Sequence, residues 1–334
     1  MKYNFQCQEC GKLFSPLEHK FRCECGGLLK LSKFEQVLLE TTLTLGEGDT
    51  PIIKKEVKDT EIFFKMDYLM PTGSFKDRGA VVLMDQLSRT GVKEIVEDSS
   101  GNAGAAIAAY ATAADIKCTI YLPQKTSEKK IEQIKAYGAE IKKVRGDRYQ
   151  ASLAVKETAQ KIYYASHIYN PFFIAGITSL AYELKEVKPD IIFIPIGNGT
   201  LLLGLYYGFK KIGGYMPQLI GVQALNCSPV YDYMTKKTSD YKNVEYNHTI
   251  AGGIAVSDPP RKIEIIQAVN KSSGEIIIVS ESLIKKASKI LNKKGIYVEP
   301  TAAVGLAGFM KYLKKEKISN KKVVIPLTGS GLKK

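Results

Sequence analysis

Pro71-Thr72-Gly73-Ser74-Phe75-Lys76-Asp77-Arg78-Gly79 decides the reading of this chain, because it sets one lysine in a turn of small residues between two segments of different period. Upstream, Glu61 to Met66 reads as an apolar strand. Downstream, Gly79 to Leu87 places Ala80, Val81, Leu83, Met84 and Leu87 at helical spacing. Lys76 therefore stands at a strand-to-helix junction. A lysine in a basic chain is ordinarily a solvated surface charge; one held among small residues at such a junction reads as a Schiff-base former, an amine nucleophile for a carbonyl carbon.

Working outward, short β-branched runs alternate with longer amphipathic ones from about Glu40 onward. Residues 191–196, 219–222, 275–279 and 323–327 read as buried strands, and Leu201 to Lys211, Arg261 to Val269, Glu281 to Leu291 and Ala302 to Leu313 read as helices. This alternation predicts an α/β protein with largely parallel sheets. Residues 91–164 repeat it with their own strand at 117–122 and helices Ala103 to Ala113 and Ser127 to Tyr137, which predicts a smaller α/β subdomain inserted in a larger one. At 334 residues the chain is long enough for a sizeable core in two subdomains. No internal repeat, low-complexity tract or long linker interrupts it.

The net charge of +14 favours anionic partners without identifying them. The basic residues are scattered over helical faces, as at Lys285-Lys286 and Lys293-Lys294, with no basic arm or stripe, so they read as solvated faces and not as a nucleic-acid or membrane surface. The first residues lack the apolar core of a signal peptide, and no apolar run approaches the ~20 residues that span a bilayer. A cytoplasmic location is expected.

Four of the six cysteines cluster near the N-terminus. Cys7-x2-Cys10-Gly11 and Cys23-x-Cys25-Gly26-Gly27 supply four thiolates on two short knuckles, approximately the ligand set of a structural zinc ribbon, and residues 1–32 are expected to form that module, with 33–334 as the catalytic region. A disulfide pair is the alternative, disfavoured in a reducing compartment. The one-residue spacer of Cys23-x-Cys25 is tighter than usual and leaves open either iron as the metal or a loss of tight binding. Cys118 and Cys227 read as small buried hydrophobes, and His19 as a spacer between the knuckles.

Further segments accompany the lysine motif: Leu45-Gly46-Glu47-Gly48-Asp49-Thr50-Pro51, Ser99-Ser100-Gly101-Asn102-Ala103-Gly104, Asn170-Pro171, Ala181-Tyr182-Glu183, Gly197-Asn198-Gly199-Thr200, Val298-Glu299-Pro300-Thr301-Ala302-Ala303 and Leu327-Thr328-Gly329-Ser330-Gly331. Their order resembles the fold-type II pyridoxal-phosphate (PLP) enzymes, tryptophan synthase β-subunit-like in fold, and is most similar to the threonine synthase family, in particular archaeal-like members with an N-terminal zinc ribbon. The resemblance covers nearly the whole chain. It implies two α/β domains with PLP in the cleft between them, an imine on Lys76, the cofactor phosphate on Gly197, Asn198, Gly199 and Thr200, the ring hydroxyl on Asn102, and the pyridine nitrogen near Thr328 and Ser330. Ser99, Ser100 and Ala103 stand where the family holds the substrate carboxylate.

These residues suit such roles physically. Gly197 to Thr200 follows a buried strand and opens a helix, so its backbone N–H groups and the positive helix end suit a phosphate; alone, such a turn often only caps a helix. Asn102 on its own reads equally as an N-cap, and Thr328 and Ser330 as a surface turn. A neutral hydroxyl at the pyridine nitrogen holds it protonated less strongly than an aspartate would.

The pattern breaks where specificity is set. Many threonine synthases carry an Asn-Ser pair and an arginine around the Asn-Pro, to grip the substrate phosphate. This chain runs Ser166-His167-Ile168-Tyr169-Asn170-Pro171-Phe172-Phe173-Ile174 without an arginine, and has Ala255 where a basic residue aligns. His167, Arg148, Arg261 and Lys125 are the candidates to bind a substrate phosphate. The resemblance implies a lyase of threonine biosynthesis that turns O-phospho-L-homoserine into L-threonine, a small-molecule amino-acid substrate and a homodimer. The alternatives are a threonine or serine dehydratase, a cysteate-synthase-like β-replacement enzyme, a ligand-binding relative without catalysis, or, from another class, a zinc-ribbon nucleic-acid binder. The last leaves most of the chain unexplained.

Overall fold

A computed structural model describes residues 3–34, 40–236, 245–316, 318 and 320–333. Its strands are β1 (Phe5–Cys7), β2 (Leu13–Phe14), β3 (Leu29–Leu31), β4 (Ile52–Val57), β5 (Thr60–Lys65), β6 (Glu94–Glu97), β7 (Lys117–Pro123), β8 (Glu140–Val144), β9 (Tyr163–Tyr164), β10 (Ile191–Pro195), β11 (Gln218–Ala224), β12 (Glu275–Val279) and β13 (Val323–Pro326). The helices are α1 (Asp77–Arg89), α2 (Asn102–Ala113), α3 (Glu128–Ala136), α4 (Arg148–Thr158), α5 (Pro171–Ile177), α6 (Ser179–Leu184), α7 (Thr200–Ile212), α8 (Pro229–Lys236), α9 (Lys262–Lys271), α10 (Glu281–Lys293) and α11 (Pro300–Tyr312). Among the described residues no helix is long and apolar enough to cross a membrane.

The chain divides into two compact units, one built from Met1–Glu47 and Lys76–Ile177, the other from Gly48–Phe75 and Thr178–Lys333. In the first, a parallel four-stranded sheet runs in the order β8-β7-β6-β9, and a small antiparallel sheet runs β2-β1-β3. Phe21 and Leu28 of the cysteine-bearing segment pack on the cluster of Val96, Tyr121, Val155, Tyr164 and Tyr169. Asp85 of α1 ties down the entering chain by accepting from the N–H groups of Thr42 (2.8 Å) and Leu43 (3.0 Å).

The second unit is a six-stranded sheet ordered β12-β11-β10-β13-β5-β4, parallel except for β4, which pairs antiparallel with β5 at the edge. β10 and β13 are buried along their whole length, as strands covered on both faces must be. The apolar runs therefore land as the sequence predicts. β4 and β8 do not announce themselves that way, because their Ile52-Ile53-Lys54-Lys55-Glu56-Val57 and Glu140-Ile141-Lys142-Lys143-Val144 carry the charges of edge strands.

Phe193 of β10 is fully buried, with its ring edge-on to Phe309 (5.8 Å between centroids) and Tyr312 (5.5 Å) of α11. Gly305 lets α11 come this close, since a Cβ there would lie 2.9 Å from the Phe193 carbonyl oxygen. Phe193→Ala is expected to cost about 3–5 kcal/mol of stability, measured by chemical denaturation.

Candidate active site

Lys76 is the residue on which α1 begins: its carbonyl accepts the N–H groups of Gly79 (3.1 Å) and Ala80 (3.0 Å). The lysine is half-buried, and its Nζ lies 5.6 Å from the centre of the Phe173 ring. Phe173 is itself fully buried in α5 and packs directly on α1, because a Cβ on Gly79 would come within 2.6 Å of its ring. His167 meets the same ring edge-on at 6.1 Å. Its Nδ1 is 2.5 Å from Oε1 of Glu97, the last residue of β6. Burial, together with Lys76 and Arg148, holds the His167 imidazole well below its usual range. Burial and Asp98 push the Glu97 carboxyl well above its own. Both shifts favour uncharged partners.

The Ser99–Gly104 turn joins β6 to α2. Gly101 is the N-cap and Asn102 the first helical residue, so the asparagine does not cap this helix. Ser99 Oγ accepts the Gly101 N–H at 3.3 Å and shapes the turn, Ser100 is half-buried, and Ala103 is buried in the first turn. A Cβ on Gly104 would overlap the Ser99 carbonyl oxygen. Only glycine there lets the helix start so tightly against the loop.

In the second unit the chain just before Lys76 is held by the segment after β13. The Ser330 N–H donates to the Gly73 carbonyl (2.9 Å), and the Phe75 N–H donates to that of Thr328 (3.1 Å). Thr328 Oγ1 is buried and has no hydrogen-bond partner, as is Ser74 Oγ, whereas Ser330 Oγ already accepts the Leu332 N–H at 3.2 Å. Gly197 to Thr200 leads from β10 into α7, with Gly199 left-handed at φ 79° as the N-cap. A Cβ at 197 would sit 3.0 Å from the Ile254 Cα, and one at 199 would strike the Ile265 side chain. Asn198 Oδ1 is buried without a partner. The first-turn N–H groups of α7 lack intrahelical acceptors. This glycine loop, together with orphaned oxygens at Asn198 and Thr328, fits a phosphate-bearing heteroaromatic cofactor: N–H groups for the anion, and a hydroxyl for a ring nitrogen.

The four N-terminal cysteines come together as a group whose sulfurs all lie within 4.8 Å of one another. Cys7 and Cys25 are 3.5 Å apart, as are Cys10 and Cys23. Thiolates ~2.3 Å from one ion in a tetrahedron stand about 3.8 Å apart, so the donor set fits a tetrahedral metal. The knuckles are closed by Cys7 N–H to Lys12 and Cys23 N–H to Gly27. Gly27 is required, since a Cβ would reach Cys7 Sγ at 2.5 Å.

Several sequence candidates fall elsewhere. Arg261 is buried and held by Glu264 at 2.7 Å, whose other oxygen accepts the Tyr207 hydroxyl at 2.6 Å, so this guanidinium is engaged inside the second unit. Lys125 and Ala255 are exposed, and so is Arg148, which nonetheless stands close enough to His167 to act on its charge. Glu97 is a site residue that the motifs did not mark. Its signal was a carboxylate closing the apolar strand Glu94-Ile95-Val96-Glu97 two residues ahead of Ser99.

The family model for pyridoxal-phosphate dependent enzymes matches residues 43–329. The chain belongs to this family, as an α/β PLP-dependent enzyme of fold-type II. It is similar to the threonine synthase of Methanocaldococcus jannaschii, 31% identical with 98% of this chain and 92% of that protein covered. It is also similar to that of Halalkalibacterium halodurans, 32% identical over 92% and 89%. Among solved structures, serine racemase from Dictyostelium discoideum matches with a TM-score of 0.73 at 27% identity, covering 84% of this chain and 92% of that one. Threonine deaminase isoform 2 from Solanum lycopersicum shares the fold, with a TM-score of 0.71 at 23% identity over 80% and 74%.

The turn at 99–104 is tested by two glycine substitutions. Gly104→Ala forces a methyl into the Ser99 carbonyl and is expected to lower Tm by several degrees and to weaken PLP retention on dialysis. Gly101→Ala, with nothing within 4 Å of the new Cβ, is expected to cost about 1 kcal/mol or less.

Proposed function

We propose that the chain is a PLP-dependent lyase of the threonine synthase type, converting O-phospho-L-homoserine and water to L-threonine and phosphate. Similarity to threonine synthases over almost the full length supports this reading. The observation that carries its chemistry is the half-buried Lys76, next to a Phe75 whose N–H is bonded to Thr328 beside an unpartnered hydroxyl.

Bound PLP supplies an electron sink for negative charge at the substrate Cα. Lys76 would hold it covalently, and its free amine would take the substrate Cα proton and move protons at Cβ as base and acid. Gly197, Asn198, Gly199 and Thr200 bind its phosphate through backbone N–H groups and the helix end. Thr328 would offer its hydroxyl to the cofactor's pyridine nitrogen, with Ser330 in the same turn, and Asn102 would bind the ring hydroxyl. Ser99, Ser100 and Ala103 take the substrate carboxylate, and His167 lines the side-chain end of the pocket. Cys7, Cys10, Cys23 and Cys25 hold one structural zinc. The family resemblance also supports a cytoplasmic homodimer.

One observation favours a second reading, a threonine or serine dehydratase. The ring beside Lys76 is Phe173, and the imidazole against that ring is buried and paired with Glu97, so neither supplies a cation for a phosphate, while Arg148, which acts on His167, is exposed.

Borohydride reduction followed by peptide mapping is expected to find the cofactor on Lys76 and no adduct in Lys76→Ala; an adduct elsewhere, or none, refutes the assignment. Phosphate release from O-phospho-L-homoserine supports the synthase, whereas deamination of L-threonine to 2-oxobutanoate without phosphate release supports the dehydratase.

Metal analysis of the reduced protein is expected to give about one zinc per chain. Chelation or Cys7→Ser is expected to lower Tm while leaving the imine absorption in place below the transition. Cysteines isolated as disulfides would refute the zinc assignment.

A further inference from the structure

Phe173 sets the face of a fully buried ring 5.6 Å from Nζ of Lys76, the atom on which the proposed chemistry turns. The backbone fixes this contact. Asn170, just before α5, accepts the Phe172 N–H on its Oδ1 at 3.0 Å and donates from Nδ2 to the Tyr163 hydroxyl at 2.8 Å. Helix α5 then meets α1 backbone against backbone at two glycines. A Cβ on Gly79 would lie 2.7 Å from the Phe173 carbonyl oxygen, and one on Gly176 would lie 2.1 Å from that of Arg78. The ring is thus fixed against the helix turn that carries Lys76.

Several charged or titratable groups share this neighbourhood. Asp77 and Arg78 are buried at the start of α1, and Asp77 acts on Tyr110 of α2. Glu97 and His167 both feel the charge of Lys76, and Arg148 acts on His167. Helix α5 itself adds no titratable group. The Phe173 ring acts on Lys76 with one sign only. Its negative face attracts an ammonium and gains nothing comparable from a neutral amine. It therefore favours Lys76 in the form the lysine takes on receiving a proton. A four-carbon stem is flexible and its ammonium strongly hydrated, so without such a contact the protonated amine is drawn toward water.

We infer that Phe173 is a positioning residue: its ring face holds Lys76 as an ammonium and keeps the proton taken from the substrate at hand for return. In that step the Cα–H bond breaks, its electron pair stays with the substrate and the electron sink joined to it, and the proton goes to the Nζ lone pair. The inference rests on the reading of Lys76 as cofactor lysine and proton carrier. It goes beyond that reading by naming the group that holds the lysine in its acid form.

Replacing Phe173 by mono-, di- and trifluorophenylalanine keeps the shape of the ring while draining its negative face, and Phe173→Leu removes the face altogether. In each full-length protein freed of cofactor, labelling of Lys76 by trinitrobenzenesulfonate, followed across pH by peptide mapping, gives the midpoint between ammonium and amine. Loss of the face withdraws stabilisation from the ammonium alone, so the midpoint is expected to fall stepwise along the fluorinated series, by about half a pH unit in all. In the PLP-loaded proteins, with whichever of O-phospho-L-homoserine and L-threonine the wild type consumes, kcat is expected to fall in the same order, about three-fold or more at the end of the series, with KM held within about two-fold. The fluorinated rings carry the test should the Leu variant fail to fold. A midpoint that stays fixed across the series, or a kcat that does not follow it, overturns the inference while borohydride mapping still finds the cofactor on Lys76. Cofactor found on another lysine overturns the reading beneath it, and the inference with it.

Discussion

The arrangement depends on two backbone hydrogen bonds, Phe75 N–H to the Thr328 carbonyl and Ser330 N–H to that of Gly73. They stitch the turn before Lys76 to the end of the last strand. The lysine is thus the next residue after a backbone position that the β13 terminus pins, and it opens α1 at once. Gly73, with φ 81°, makes the turn possible. On the other side, Gly79 lets α1 close on Phe173. The backbone that carries this flexible four-carbon side chain is thus tied down on both sides.

A contrast in polar pairing separates scaffold from site. Lys65 is buried with its ammonium on Glu183 at 2.5 Å and on the Thr50 carbonyl, and Thr50 bonds Asp67 at 2.7 Å. Arg261, Glu264 and Tyr207 close a second such network. These charges are compensated inside the protein, as buried ions must be. Ser74 Oγ, Asn198 Oδ1, Thr328 Oγ1, Glu97 Oε2 and Glu281 Oε1 are buried and uncompensated. Three of those five lie within the segments that resemble the PLP-enzyme motifs, Glu97 ends the strand leading into another, and Glu281 opens α10. Unpaired buried oxygens are places where a ligand or an ordered water can complete the hydrogen bonding.

The N-terminal module supports the strip of chain that carries His167 and Phe173. Phe5 meets Phe172 edge-on at 5.1 Å, His19 meets Tyr163 at 5.4 Å, and Phe21 lies against both Tyr164 and Tyr169. The guanidinium of Arg22 stands 5.3 Å from the Tyr169 ring. His19, a mere spacer by sequence, is therefore a packing residue. Two- and three-residue strands have too little surface to hold themselves together; these aromatic contacts add the packing that the strands lack.

What the sequence determined by itself is what repeats with a period or sits in a local motif. Apolar runs marked β10, β11 and β13 because strands covered on both faces need them, and the glycines at 104, 197 and 199 stood out because local backbone turns require them. The cysteine knuckles were legible for the same reason, since their closing bonds span only a few residues. Only the tertiary structure decided what depends on distant partners. It gave the Arg261 guanidinium to Glu264 and Tyr207, left Thr328 Oγ1 unpaired while Ser330 Oγ bonded Leu332, and set Glu97 against His167, seventy residues away in sequence. The charge and availability of a side chain are set by what surrounds it, and no local pattern records those surroundings.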